Sequence, residues 1–297
     1  MPFPMLENPS GEYCIFNGER IPLDSTIGAS LSQPISDIIY YESIRLRDGI
    51  LVFFENHMLR LLRSIAKKEN FPLDTEKLYD QAMRLIQESE PKVSDGNIRI
   101  VITSMSSLVH FSDAIYPSAE LFASGIITST LFWERREPQV KVFRDDYKNA
   151  VFNKIHAPTS FGVPYEVLLV DHEGHYTEGS RSNFFVLFDG VVYSPPEEMI
   201  LIGITRKYVL KAIEMSGLSY QEKIFTLDEM SVMQNEAEKS GKSFAVFVTS
   251  SPFDILPVRT IDDISFLSSS CSELHAITNA YQSIVAAYIT SRKTDPA

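Results

Sequence analysis

The sequence predicts an α+β protein of two domains, and three observations carry that prediction. Short apolar strands flank Asn-Gly and Asp-Gly dipeptides in both halves of the chain, which is the pattern of β-hairpins. Helices with apolar residues at helical spacing are laid among these hairpins, an arrangement that argues against a doubly wound sheet. The pattern lapses once, around Tyr116-Pro117-Ser118, which divides a smaller domain, 1–117, from a larger one, 118–297. A chain of 297 residues is long enough to give both a core without disulfide staples.

In the first half, Tyr13 to Pro22 reads as a hairpin about Asn17-Gly18, and Ile39 to Phe54 as a second about Asp48-Gly49. A helix is expected from about Glu55 to Glu69, because Met58, Leu61, Leu62 and Ile65 recur on one face. Leu78, Ala82, Leu85 and Ile86 predict another from about Asp74 to Glu88. Asn97 to Thr103 alternates as a strand, with Ile98, Ile100 and Ile102 on one side and Arg99, Val101 and Thr103 on a polar side.

Beyond the lapse, strands are expected at Gly125 to Phe132 and Val140 to Phe143. A short helical segment follows Lys148 and stops before Pro158. Val167 to Val170 is an apolar strand, and Phe184 to Tyr193 a hairpin about Asp189-Gly190. Thr205 to Ser216 reads as a helix closed by Gly217, a position where glycine accepts a left-handed backbone. A short helix over Leu227 to Gln234, a strand over Phe244 to Thr249 and a helix over Leu274 to Ile289 complete the chain. There is no internal repeat and no low-complexity segment.

Composition narrows the function. The net charge of −12 argues against a nucleic-acid surface. Cys14 and Cys271 fit neither a metal spacing nor a disulfide framework, as expected of a reducing cytoplasm. The opening Met1 to Glu7 lacks the basic region and apolar run of a signal peptide, and no apolar stretch reaches membrane-spanning length. These features predict a soluble cytoplasmic protein, with no metal, nucleic-acid or membrane partner.

One stretch points to anion chemistry on physical grounds. Gly203-Ile204-Thr205 opens the Thr205–Ser216 helix, where free backbone amides and the helix dipole favour a phosphate. Thr205 also suits an N-cap, and the two roles are compatible. A second Ser/Thr-rich turn, Thr249-Ser250-Ser251, follows the Phe244 strand; such turns are common without any ligand.

These segments belong to a longer pattern. Glu178, Ser180, Asn183, Phe184 and Phe185 are followed by Leu201, Gly203, Ile204 and Arg206, with Ser194 standing where a threonine usually separates the two halves. In residue type and spacing this resembles the signature of class IV (fold type IV) aminotransferases, which use pyridoxal 5'-phosphate. The likeness runs from about Tyr40 to Asp262. It implies the two-domain fold of the D-amino-acid aminotransferases, a homodimer, and small amino and keto acids as substrates.

The resemblance also assigns roles. Lys148 lies about where the family's cofactor-bound lysine lies, although its spacing to Glu178 is a few residues shorter than in the best-known members. A lone lysine is ordinarily a solvated surface group, and only the rest of the signature reverses that reading. Lys154 is the runner-up, and Lys141 falls too early. Glu178 resembles the carboxylate that keeps the cofactor's ring nitrogen protonated. Ile204 and Thr205, with Ser250 and Ser251, match the phosphate-binding elements. Arg60, in Glu55-Asn56-His57-Met58-Leu59-Arg60-Leu61, matches the family's His-x-x-Arg-Leu arginine, a further phosphate contact that places the expected site at the domain interface.

Tyr41 and Arg99 are the candidates on the substrate side. Tyr41-Glu42 resembles the family's Tyr-Glu strand. Arg99 suits a substrate carboxylate or a structural ion pair equally. Ser104 stands where D-amino-acid enzymes carry a carboxylate-binding arginine, which speaks against D-specificity. The resemblance thus implies an aminotransferase acting on branched-chain-like amino acids. Its alternatives are a 4-amino-4-deoxychorismate lyase, which eliminates pyruvate to give 4-aminobenzoate, a D-amino-acid aminotransferase, and a degenerate member kept for binding alone.

Overall fold

Residues 3–113 and 116–294 are described by the computed structural model. The chain divides into two units, one of Met1–Ile115, Val140–Lys148 and Ala287–Ala297, the other of Tyr116–Gln139 and Asn149–Ala286.

The first unit contains strands β1 (Phe3–Pro4), β2 (Pro9–Phe16) and β3 (Glu19–Pro22), helix α1 (Thr26–Leu31), then β4 (Pro34–Ile35), β5 (Tyr40–Arg47) and β6 (Ile50–Leu51). Helices α2 (Phe54–Ala66) and α3 (Thr75–Gln87) follow, and β7 (Gly96–Ile102) and β8 (Ser107–Ser112) close the series. The Asn-Gly and Asp-Gly turns form as expected, with φ of 51° and 90° at Asn17 and Gly18 and of 51° and 76° at Asp48 and Gly49. All neighbouring strands are antiparallel, in the order β3-β2-β8-β7-β5-β6. One face of this sheet, with Ile44, Leu46, Ile98 and Ile100, packs against Leu61 and Ile65 of α2 and Leu78 and Leu85 of α3.

The opposite face differs from expectation. It is not polar, because Val101 is fully buried in a second cluster with Phe3, Met5, Leu6 and Leu108, and Thr103 is buried too. The segment that opens the chain supplies that cover, with β1 paired to β4.

The second unit begins with α4 (Ala119–Ser124) and β9 (Ile126–Phe132). The strand expected at Val140 to Phe143 forms only an isolated bridge, Tyr40 to Val142, within the first unit. Helix α5 (Asp145–Ile155) then starts before Lys148, so the lysine lies inside the helix rather than ahead of it. Next come β10 (Glu166–Val170), β11 (Tyr176–Gly179), β12 (Asn183–Phe188) and β13 (Val191–Ser194), a single turn at Glu197–Met199, and α6 (Ile204–Met215). Strand β14 (Ser219–Glu222), α7 (Leu227–Ser240), β15 (Phe244–Ser250), β16 (Asp254–Ile261), β17 (Ile264–Ser265) and the larger part of α8 (Ser272–Thr294), whose residues from Ala287 on belong to the first unit, complete it.

Strands run in the order β11-β10-β9-β16-β15-β12-β13-β14, and a further pairing of β11 with β12 closes the first six into a ring. Its interior is apolar, with Leu168, Phe184, Val246, Val248, Leu256 and Val258 in one cluster. Helix α7 outruns its expected end at Gln234. A Thr226–Glu229 capping box starts it and Gly241, at φ 69°, stops it.

Candidate active site

In the second unit the two halves of the signature fold onto each other. Glu178, next to last in β11, lies directly opposite Asn183 on β12. The turn between them wraps the fully buried carboxylate of Glu166, which accepts from the Ser180 hydroxyl at 2.5 Å, the Ser182 hydroxyl at 2.9 Å and the Val167 amide at 2.8 Å. Asn183 donates from Nδ2 to the Leu201 carbonyl at 2.7 Å, and the Leu201 amide donates to Glu178 Oε2 at 3.2 Å. At Gly203 an added Cβ would stand 2.1 Å from Asn183 Oδ1, so any other residue has to push that side chain off its place. The spacing Glu-x-Ser-x-x-Asn followed by Leu-x-Gly is therefore the footprint of one clamp.

The clamp presents the start of α6. Gly203 is its N-cap and brings no side chain to the first-turn amides of Ile204 and Thr205. The Thr205 and Ser251 hydroxyls lie 3.4 Å apart. Ser250 is used differently: its hydroxyl donates to the Arg181 carbonyl at 2.7 Å and pins the Glu166 turn. Arg206, the last residue of the signature, is buried at the root of the helix, 2.8 Å from Glu197 and 2.7 Å from the Tyr220 hydroxyl. Sequence reasoning did not single out Arg135, whose Nε lies 2.8 Å from Glu178 Oε1 and whose Nη2 donates to the Ser180 carbonyl at 3.3 Å. No spacing signals it, because it reaches the clamp from outside the motif. Glu166 lay closer to hand, as a carboxylate in an otherwise apolar strand.

In the first unit the candidates gather about two carboxylates on opposite faces of the sheet. Glu42, fully buried, faces α2. Arg60 grips it with Nε on Oε1 at 2.8 Å and Nη2 on Oε2 at 2.5 Å, and His57 Nδ1 lies 2.8 Å from Oε2. Burial by itself would raise the Glu42 pKa, but the Arg60 charge and the hydrogen bonds from Arg60 and His57 overcome it and hold it at about 2. Burial depresses the His57 pKa, so its imidazole stays neutral at pH 7.

Arg99 and Tyr41 lie on the other face, where Tyr41 stacks on Phe143 with ring centroids 3.9 Å apart. Arg99 Nη1 contacts Glu7 Oε2 at 2.7 Å, and Lys148 Nζ is ion-paired to the other oxygen of Glu7. Partial burial pulls the Lys148 pKa below the usual lysine value. Ser104 sits exposed in the β7–β8 turn, and Lys141 places its ammonium 4.3 Å from the Tyr41 ring centroid.

The phosphate side of this set fits pyridoxal phosphate: a helix N-terminus without a side-chain cap, flanked by two hydroxyls from different elements, is a ready dianion cradle. Glu178 adds a buried carboxylate braced by the same clamp.

Comparison with known proteins agrees. The amino-transferase class IV family matches residues 40–261, and the chain belongs to that family of pyridoxal-phosphate enzymes. Among curated relatives, the chain is 28% identical over 243 residues to the D-alanine aminotransferase of Bacillus licheniformis, covering 75% of this chain and 78% of that one. It is 23% identical over 282 residues to the branched-chain-amino-acid aminotransferase of Salmonella typhimurium, covering 88% of each. Among solved structures, the branched-chain amino acid aminotransferase of Escherichia coli superposes with a TM-score of 0.73 at 20% identity, over 93% of this chain and 95% of that one. The Thermoproteus uzoniensis enzyme, solved with norvaline, gives 0.73 at 21% identity over 94% and 96%. The two-domain α+β fold expected from the sequence is the fold of these enzymes.

Proposed function

We propose that this class IV aminotransferase moves an amino group between a branched-chain-like amino acid and a 2-keto acid, with Lys148 as the lysine that attaches pyridoxal 5'-phosphate. The observation that carries the cofactor reading is the meeting of the Thr205 and Ser251 hydroxyls at the uncapped start of α6. Bound there, the cofactor supplies the electron sink that amino transfer needs.

The chain's own groups do the rest. The Ile204 and Thr205 amides and the Thr205 and Ser251 hydroxyls would receive the phosphate, and Ser250 keeps their turn in place. Glu178 holds a negative charge for the ring nitrogen, raising that nitrogen's pKa. Lys148 Nζ, its pKa lowered by partial burial, sheds its proton more readily than a surface lysine and takes the substrate's α-proton. To do so it leaves Glu7.

The substrate reading is supported by the aromatic pair Tyr41–Phe143 beside Arg99, a surface suited to an apolar side chain. The branched-chain names of several relatives support it as well. The Bacillus licheniformis relative favours a second reading, a D-amino-acid enzyme, against which Ser104 stands. We read residues 1–117 and 118–297 as the two domains, and the protein as a cytoplasmic homodimer.

The test is a single-turnover absorbance spectrum of the cofactor-loaded protein against separate L- and D-amino acids. L-Leucine, L-valine or L-glutamate should bleach the yellow form. Bleaching by D-alanine or D-glutamate alone would overturn the chirality. A yellow protein that no amino acid bleaches, yet which releases pyruvate and 4-aminobenzoate from aminodeoxychorismate, would make it the lyase.

A further inference from the structure

Ser251 carries one of the two hydroxyls that meet at the start of α6, and it does so from a short turn, Ser251-Pro252-Phe253, between β15 and β16. A hydroxyl in so short a turn lies where the two ends of the turn put it. The entering end is Ser250, held by its bond to the Arg181 carbonyl. The leaving end is Asp254, directly opposite Ser250 in the strand pairing, and neither the signature nor the clamp accounts for it.

Asp254 is costly in two respects. Its φ is 61°, in the left-handed region, where glycine fits without strain. Its carboxylate is buried, which is unfavourable unless hydrogen bonds compensate. Glycine would avoid both costs, so it is the carboxylate that explains the residue. Its partners come from α8. The Tyr281 hydroxyl donates to Oδ1 at 3.2 Å, and Gln282 Nε2 donates to Oδ2 at 3.1 Å.

The brace is firm on both sides. Leu274, Ile277, Tyr281 and Val285 recur at helical spacing as the buried stripe of α8, and that stripe fixes where the Tyr281 hydroxyl lies. Phe253 is buried as well. Its amide donates to the Ser250 carbonyl at 3.2 Å, and its ring meets Tyr165 edge-on with centroids 6.0 Å apart.

We propose that Tyr281 and Gln282 are positioning residues for the cofactor's phosphate: through Asp254 they hold the β15–β16 turn so that the Ser251 hydroxyl stays beside that of Thr205. A hydroxyl already in place needs no ordering when the anion arrives, and a loose one does. Helix α8, which contains no part of the signature, thereby supports the phosphate site. The inference rests on the reading that Thr205 and Ser251 receive the phosphate.

Three variants test it. Tyr281→Phe removes the hydroxyl and keeps the ring, and Gln282→Ala removes the amide. Asp254→Gly removes the carboxylate at a backbone angle that glycine accepts. Absorbance titration of the cofactor-free, full-length chain, checked by borohydride fixation of the bound cofactor, measures affinity for pyridoxal phosphate. Each variant should bind it about tenfold more weakly. Pyridoxal, which has the ring without the phosphate, should bind as it does to the unaltered protein. D254N, whose side chain still accepts from Tyr281 and tolerates the left-handed backbone, should stay near the unaltered protein. Y281F/S251A should bind pyridoxal phosphate no more weakly than S251A alone.

Unchanged affinity for pyridoxal phosphate in the folded variants overturns the proposal. So do equal losses for pyridoxal, which mean general loosening, and additive losses in the double variant. One variant that fails to fold leaves the other two to decide. If S251A itself leaves the affinity intact, the phosphate reading of this turn fails. If S251A weakens it and the α8 variants do not, only the role of α8 fails.

Discussion

The two units handle charge in opposite ways. In the second, the clamp is local and rich in neutral donors: Glu166 takes hydroxyls and amides from the next turn, and Asn183 reaches a carbonyl 18 residues on. In the first, guanidinium and ammonium groups are tied to carboxylates on other elements, Arg60 to Glu42 and Arg99 to Glu7, the latter 92 residues away. A clamp of the first kind fixes a backbone shape and leaves its helix terminus open to an anion. An ion pair of the second kind decides whether a cation is available to a ligand at all. The second unit thus preforms the cradle proposed for the phosphate, while the first rations its positive charge.

The sharpest way to break this contrast is at Lys148. Lys148→Ala should lower amino transfer by about 10²–10⁴-fold or more, as loss of a proton-moving group does, with little change in melting temperature because the ammonium is half-exposed. Initial rates with L-leucine check it, together with loss of borohydride-fixed label. Near-full activity in K148A would move the role to another lysine, Lys154 first.

Next in size is Glu42→Gln. Removing one partner of a buried pair strands the Arg60 charge, at a cost of about 3–5 kcal/mol. Chemical denaturation at pH 7 measures it. The pH dependence follows from the depressed pKa. Glu42 stabilises the fold fully above its ordinary value of 4.5, and that stabilisation is lost as the pH falls from there through about 2. The gap between E42Q and the unaltered protein should therefore narrow over that window and stay constant above it.

The same contrast explains what could be read in advance. Turns at Asn17-Gly18 and Asp48-Gly49 and the apolar stripes of α2 and α3 are local, so their residues announce them. The clamp was legible too, because Glu178, Asn183 and Gly203 act within one short stretch. Strands such as β8 and β14 were not, since each depends on partners supplied from elsewhere in the chain. Arg99 was recognisable as a cation and its two roles as equals. Only its partner decides between them, and Glu7 lies too far away in sequence to be paired with it by pattern. Arg135 is the same case in the second unit.

Gly203→Ala and Asn183→Ala probe the clamp with smaller effects. The alanine methyl would collide with Asn183 Oδ1, so G203A must push the Asn183 side chain from its place beside the start of α6. Weaker cofactor affinity is expected, by about tenfold. N183A leaves the Leu201 carbonyl without its donor, at about 1–3 kcal/mol. Equilibrium dialysis with pyridoxal phosphate and thermal melting separate the two. If the double variant weakens the cofactor no more than G203A alone, the two residues act as one unit; additive losses would make them independent.

The smallest effect belongs to Glu88→Gln, and it isolates burial as the variable. Arg84 donates from Nε to Glu88 at 2.8 Å, the distance at which Arg60 meets Glu42, and both pairs are arginine with glutamate in the first unit. Arg84 and Glu88 are exposed side chains one helical turn apart, whereas Glu42 is fully buried. Water and salt screen the outer pair, so E88Q should cost only about 0.3–0.5 kcal/mol and less still at high salt. E42Q should keep most of its cost at any ionic strength. Comparable losses in the two variants would mean that distance, not desolvation, sets the strength of these pairs, and the contrast between the rationed charges of the first unit and the preformed cradle of the second would lose its physical basis.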